Sequence, residues 1–310
     1  MRAASADERG SGRGAFACQL PPHQFRVRLR GQSPLAPGKV MLCSGDERPA
    51  EHQSPIRGIP IAIRRRTGVS SLLDAVDFET IPLFRGLKPA EQRQLHELLG
   101  VSTFLAGAQI VTVEEPGEAA YIVLDGTVKV QVHHPDGTAV ILAILRAGEI
   151  AGEMSLIDRC GRSATVVAME QTRVAWLTNA DFWDCLRSMP TMAFNLAGIH
   201  SRRLRLSNAH VVALATLDIE GRLADQLLAL GEEYGETTAN DGRRIPFRLT
   251  QADLAALVGA SRVRVNQILV TWKHSNVLTV DGQHIVTLLD RRALAALVPG
   301  LRAEAPWHEV

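Results

Sequence analysis

Between Ser102 and Trp176 the chain is cut into short apolar runs by Gly107, Gly117, Gly126, Gly137, Gly148 and Gly161. The runs are Gln109–Val113, Ala120–Leu124, Thr127–Val132, Thr138–Leu145, Ala164–Ala168 and Arg173–Leu177. Each is too short for a stable helix and long enough for a strand. Even spacing with a turn residue between runs predicts a compact antiparallel barrel or roll. Asp125-Gly126 and Asp136-Gly137 are strong hairpin signals, because glycine supplies the positive φ of a tight turn.

The last third of this region carries chemistry. Gly148–Thr165 reads Gly-Glu-Ile-Ala-Gly-Glu-Met-Ser-Leu-Ile-Asp-Arg-Cys-Gly-Arg-Ser-Ala-Thr. The Glu153 carboxylate can accept a hydrogen bond from a sugar hydroxyl, and the planar fork of Arg162 matches phosphate oxygens. Ser163 adds a hydroxyl beside it. Gly152 and the turn from Glu153 to Ile157 can offer backbone N–H groups to the same anion. Glu149 is the weaker candidate for the sugar contact.

This stretch resembles the phosphate-binding cassette of cyclic-nucleotide-binding domains in the catabolite activator / fumarate-nitrate regulator superfamily, on the cyclic AMP receptor branch. The resemblance implies that Glu153, Arg162 and Ser163 hold the ribose hydroxyl and the cyclic phosphate. Phe84-x-x-Leu87 before a polar helix, and the hairpin Tyr121–Val128, resemble other parts of the same domain. Gly126 serves there as a tight turn.

The chain after the roll follows the same likeness. Asn179 to Pro190 starts helical, with Thr178 or Asn179 as cap. A long helix then runs from Met192 to about Leu217, with Phe194, Ile199, Leu204, Val211, Leu214 and Leu217 on a broad apolar face. Such a face expects its own copy in a parallel coiled coil, with a purely intramolecular core helix as the alternative. Ser201-Arg202-Arg203-Leu204 resembles a family pattern that implies Arg203 over the cassette, Ser207 on the adenine amino group and Asn208 reaching the partner subunit's nucleotide. Leu217–Arg222 resembles the family hinge. A further helix is expected over Arg222–Leu230, then loop to Pro246.

Thr250–Leu269 has helix-turn-helix spacing. Thr250 caps the first helix, Gly259 permits the turn, Ser261 caps the second, and Val265, Ile268 and Leu269 bury its inner side. The outer side carries Arg262, Val263, Arg264, Asn266 and Gln267. Arginine can bridge guanine O6 and N7, and Asn or Gln can bridge adenine. The motif resembles the superfamily's, which implies Arg262 as a guanine reader. Val263 stands where the family commonly has Glu, and Gln267 where it has Arg, so a changed operator is expected. Thr250 and Lys273 are expected phosphate contacts. Asn276–Val286 reads as a wing hairpin around Asp281-Gly282, and Asp290–Leu297 as a last helix.

Charge is uneven. Residues 1–70 hold 12 Lys+Arg against 5 Asp+Glu; residues 71–218 hold 12 against 17; residues 219–310 hold 10 against 11. DNA binding therefore rests on a local patch, not on bulk charge. Residues 1–70 read as a flexible, disordered basic extension with Arg64-Arg65-Arg66 as its densest cluster. The four cysteines, Cys18, Cys43, Cys160 and Cys185, suggest no metal cluster and no disulfide framework. No signal peptide or membrane-spanning run is read, so a reduced, cytoplasmic protein is expected.

The resemblance thus implies an α+β chain: a flexible extension (1–70), a jelly-roll-like cyclic-nucleotide-binding β-roll (71–191), a dimerisation helix and hinge (192–218), and a C-terminal winged helix-turn-helix domain (219–310). It implies a homodimeric, double-stranded-DNA-binding transcription regulator with cyclic AMP as allosteric ligand, acting with RNA polymerase; no metal, membrane or enzymatic activity is expected. The alternative is the same fold answering another signal (haem or gas, redox, another nucleotide) or binding DNA without ligand. His96, His133, His134, His200 and His210 are the available haem ligands, each more simply a surface histidine.

Overall fold

The computed structural model describes Leu73, residues 76–113 and residues 115–298. The expected basic extension with Arg64–Arg66, and the tail to Val310, lie outside the described residues.

After a 3-10 turn at Phe78–Thr80, helix α1 spans Pro89–Leu98. Eight strands follow: β1 Gly100–Phe104, β2 Gln109–Val111, β3 Ala119–Asp125, β4 Thr127–His133, β5 Ala139–Arg146, β6 Ile150–Ala151, β7 Thr165–Ala168 and β8 Thr172–Thr178. A four-residue helix α2, Met154–Ile157, sits between β6 and β7. The strands form two antiparallel sheets, ordered β1-β8-β3-β6 and β2-β7-β4-β5.

Strand periodicity explains the layers. In β3, Ala119, Tyr121 and Val123 enter the core between the sheets, while Ala120 and Ile122 enter a second core on the outer face. In β8, Val174 and Trp176 join the first core, and Ala175 and Leu177 the second. Both strands are therefore buried on two faces, which is why they read as continuous apolar runs. The outer core is closed by Leu95 of α1, by Phe182 and Cys185 of helix α3 (Asn179–Ser188), and by Met192 and Leu196 of the long helix α4 (Pro190–Thr216). Thr178 caps α3 by accepting from the Asp181 N–H. Gly126 turns β3 into β4 with φ +89°, and a Cβ there would lie 2.7 Å from the Gln171 carbonyl oxygen. It serves close approach as well as the turn.

Helix α4 ends before Leu217, and Asp218 caps α5, Ile219–Tyr234, by accepting from the Gly221 N–H at 2.8 Å. The break falls at 217–218, within the expected hinge, and Gly221 is buried in the first turn of α5. A Cβ on Gly221 would meet the Leu297 carbonyl at 3.0 Å, so glycine admits that neighbour. The expected loop over 231–246 is shorter than read: α5 runs to Tyr234, and β9 (Glu236–Thr237) and β10 (Arg243–Arg248) follow, Pro246 included.

Helices α6, Gln251–Val258, and α7, Arg262–His274, meet across Gly259, which takes φ +63°. The wing is β11, Leu278–Val280, and β12, Ile285–Leu288, in a sheet ordered β11-β12-β10-β9. Helix α8, Arg291–Ala296, is capped by Asp290. The core of this half takes in Ile141 and Ile144 from β5 of the roll.

Cys160 is disulfide-bonded. This corrects the expectation of no disulfide, because wide separation in sequence does not restrict pairing in the fold. Cys185 is a buried free thiol, which burial pushes up to about 11.

Candidate functional site

A cavity opens between the end of the roll and α4. Its walls are apolar on one side (Val111, Val130, Leu145, Val166) and polar on the other: Gly152, Glu153, Ser155, Arg162, Ser163 and Arg203. The structure therefore brings together Gly152, Glu153, Arg162, Ser163 and Arg203. Ser207 and Asn208 do not line this cavity; both are exposed further along α4.

Local geometry explains the polar wall. Gly152 takes φ +80°, and a Cβ there would lie 2.6 Å from Arg162 Nη1, so this glycine clears the guanidinium's path. Arg162 donates to the Gly152 and Ala119 carbonyls and to Ser155 Oγ, the last two at 2.7 and 2.9 Å. Burial lowers its pKa from the ordinary arginine value. Glu153 is almost wholly buried and is paired by Arg203 of α4, whose Nη1 donates to Oε1 at 2.8 Å while Nη2 donates to the Ile150 carbonyl at 2.5 Å. A buried carboxylate, a guanidinium and an exposed serine beside an apolar wall suit a ligand with one anionic, one hydroxylic and one flat apolar part.

Polar links tie this wall to the C-terminal half. Arg202, beside Arg203, donates to Glu233 of α5 at 2.6 Å. The neighbouring Tyr234 places its hydroxyl 2.9 Å from Glu149 Oε2 and 3.1 Å from the Ile144 carbonyl. Glu149 also accepts from the Arg146 N–H, so it braces the domains and does not line the cavity. Lys129 of β4 donates to Asp253 of α6 at 2.7 Å. Burial alone would raise the Asp253 carboxyl, but hydrogen bonds from Lys129 and Thr250 and the Lys129 charge hold it below its ordinary range. Sequence reasoning missed Ser155, Lys129 and Tyr234. None of the three carries a signal in the sequence that marks its partner.

The second region is the exposed side of α7. Arg262, Val263, Arg264, Asn266, Gln267 and Lys273 are all exposed there, as is the cap Ser261, which accepts from the Arg264 N–H at 3.2 Å. Asn266 Oδ1 accepts from Gln251 at 2.7 Å. Thr250 is half-buried; its hydroxyl donates to Asp253 Oδ2 at 2.5 Å and accepts from the Asp253 N–H, so it serves as a capping box. The outer side of α4 is a third surface: Phe194, Leu204, Leu206, Val211, Val212 and Leu214 are exposed. Of the apolar face read from the sequence, Ile199 and Leu217 instead pack half-buried within the chain.

Residues 101–189 match the cyclic nucleotide-binding domain family model, and residues 221–297 the Crp-like helix-turn-helix domain model. The chain is 34% identical over 220 residues to the "Cyclic AMP receptor protein" of Thermus thermophilus, spanning 71% of this chain and 98% of that one. The chain belongs to the CRP/FNR family of transcription regulators. It is 29% identical over 204 residues to the "CRP-like cAMP-activated global transcriptional regulator" of Mycobacterium tuberculosis, covering 66% of this chain and 91% of that protein. Among solved structures it resembles a CRP/FNR family regulator from Thermus thermophilus (TTHA1359), with TM-score 0.52 and 26% identity over 64% of this chain and 97% of that one. The fold thus joins a roll that matches the cyclic nucleotide-binding domain to a Crp-like helix-turn-helix domain. Among the described residues no helix is long and apolar enough to cross a membrane, and no cluster of three or more acidic, His or Cys side chains could hold a metal.

Proposed function

We propose that this CRP/FNR regulator is a cytoplasmic homodimer whose DNA binding is controlled by cyclic AMP. The observation that carries the reading is a cavity walled at once by the cassette and by Arg203 of α4, a helix whose far side is apolar and exposed. Glu153 would take the ribose hydroxyl, and Arg162 with Ser163 the cyclic phosphate; the bound nucleotide supplies an anion and a flat purine. The apolar wall fits the base and sugar faces. Ser207, and Asn208 from the second copy, offer donor and acceptor groups for an adenine edge. The relatives named above for cyclic AMP support this ligand.

Dimerisation is supported by the spacing on α4. Phe194, Ala197, Ser201, Leu204, Asn208, Val211 and Ala215 alternate by three and four residues and are all exposed. That is the seam of a two-stranded coiled coil. Two copies would present two α7 helices to half-sites about 34 Å apart on DNA, with RNA polymerase as the onward partner at a promoter. Titration calorimetry with cyclic AMP, together with anisotropy on DNA with and without it, tests the reading. Saturable heat abolished by Glu153→Gln is expected; no heat at millimolar nucleotide would reject the ligand.

A further inference from the structure

Helix α7 puts valine where its surface faces furthest from its own core. Val265, Ile268, Leu269 and Trp272 are buried. At about 100° per residue, the line opposite them runs through Val263, Gln267 and Val270. Arg262 and Lys273 lie along one margin of that line, Arg264 and Thr271 along the other. Val263 is 68% exposed and Val270 43%. A β-branched residue left in water in a helix favours neither the helix nor the core. The polar side chains around it already have contacts within the chain: Asn266 with Gln251, and Gln267 with Arg264 at 3.4 Å. Val263 has no hydrogen-bonding group, so against cytosine it would leave the N4 amino group unpaired. The apolar feature that the major groove offers is the C5 methyl of thymine.

We propose that Val263 is a specificity-determining residue that selects a T·A pair in each half-site through the thymine methyl. This rests on the reading of α7 as the helix that enters the major groove. The flanking arginines would hold the helix in register while the valine at its crest fills the space beside the methyl. Burying one methyl group is expected to contribute about three- to fivefold in affinity.

The full-length protein, with cyclic AMP present, is used to enrich duplexes from a random-sequence pool. Each thymine of the enriched half-site is then replaced in turn by uracil, which deletes the methyl alone, and affinity is read by anisotropy. One position per half-site is expected to weaken three- to fivefold in the unmodified protein and to show no loss in Val263→Ala. If every thymine tolerates uracil, or if Val263→Ala keeps the same sensitivity, the assignment of Val263 is overturned while the DNA-binding reading stands. Failure to enrich any sequence would overturn that reading, and this one with it.

Discussion

Tyr234 tests how the roll and the helix-turn-helix half are held together. Its ring sits edge-on to Phe247, 5.7 Å between centroids, with the Arg146 guanidinium 5.9 Å away. Tyr234→Phe keeps those contacts and removes the hydroxyl that faces Glu149 Oε2 at 2.9 Å. Burial raises the Glu149 pKa, against the Arg146 N–H and the Tyr234 hydroxyl, which lower it. Without the hydroxyl, the ionised carboxylate loses one of its two named donors. The expected cost is about 1–3 kcal/mol at neutral pH, or roughly 2–4 °C in Tm for each kcal/mol in a chain of this size. A carboxyl whose folded pKa is raised opposes folding while ionised, and the penalty is relieved as pH falls through the folded pKa. The loss caused by Tyr234→Phe therefore shrinks on acidification through the Glu149 pKa. Urea denaturation of both proteins across that range, repeated in a Glu149→Gln background, provides the assay. A loss that is flat with pH, or a pH dependence that survives Glu149→Gln, would refute the reasoning.

Three further outcomes are expected. Gly152→Ala should cost about 1–2 kcal/mol of stability for its left-handed backbone and weaken cyclic AMP binding, because the added methyl displaces the Arg162 guanidinium; calorimetry and thermal denaturation read the two effects separately. Lys129→Met should cost about 1.5–3 kcal/mol at neutral pH by removing a charged hydrogen bond. The folded pKa of Asp253 is depressed, so that contribution is present above its unfolded pKa and lost as pH falls through the folded one; denaturation midpoints against pH will show it. Leu204→Glu with Val211→Glu should place like charges across the α4 seam and weaken self-association by about 100-fold or more, and an unchanged sedimentation coefficient at micromolar protein would contradict the seam.

The roll and the helix-turn-helix were legible because their signals are local. Glycines at turn spacing, two capped helices around Gly259 and an alternating pattern need only a window of ten or twenty residues. The cassette was legible for the same reason, since Gly152, Glu153, Arg162 and Ser163 lie in one short stretch of sequence. What could not be read is what spans the fold. The Tyr234–Glu149 and Lys129–Asp253 contacts join residues 85 and 124 positions apart; Arg203 over the cassette, 50 positions from Glu153, was expected only through the family resemblance. A lysine in β4 or a tyrosine at the end of α5 carries no mark of its partner in the sequence. Helix α5 starts at Ile219, three residues before the expected Arg222, because Asp218 supplies the cap.

Those long-range links share a geometry. Arg203 reaches from α4 into the ligand wall, and Arg202, one residue away and so turned by about 100°, reaches to α5. Glu233 receives Arg202, and its neighbour Tyr234 returns to Glu149, which directly precedes the Ile150 carbonyl that Arg203 holds. Cassette, long helix and DNA-binding half thus close one polar ring. Arg203 and Arg202 thus tie α4 to β6 and to α5, and α5 meets α7 through the Trp272–Glu220 hydrogen bond of 3.0 Å.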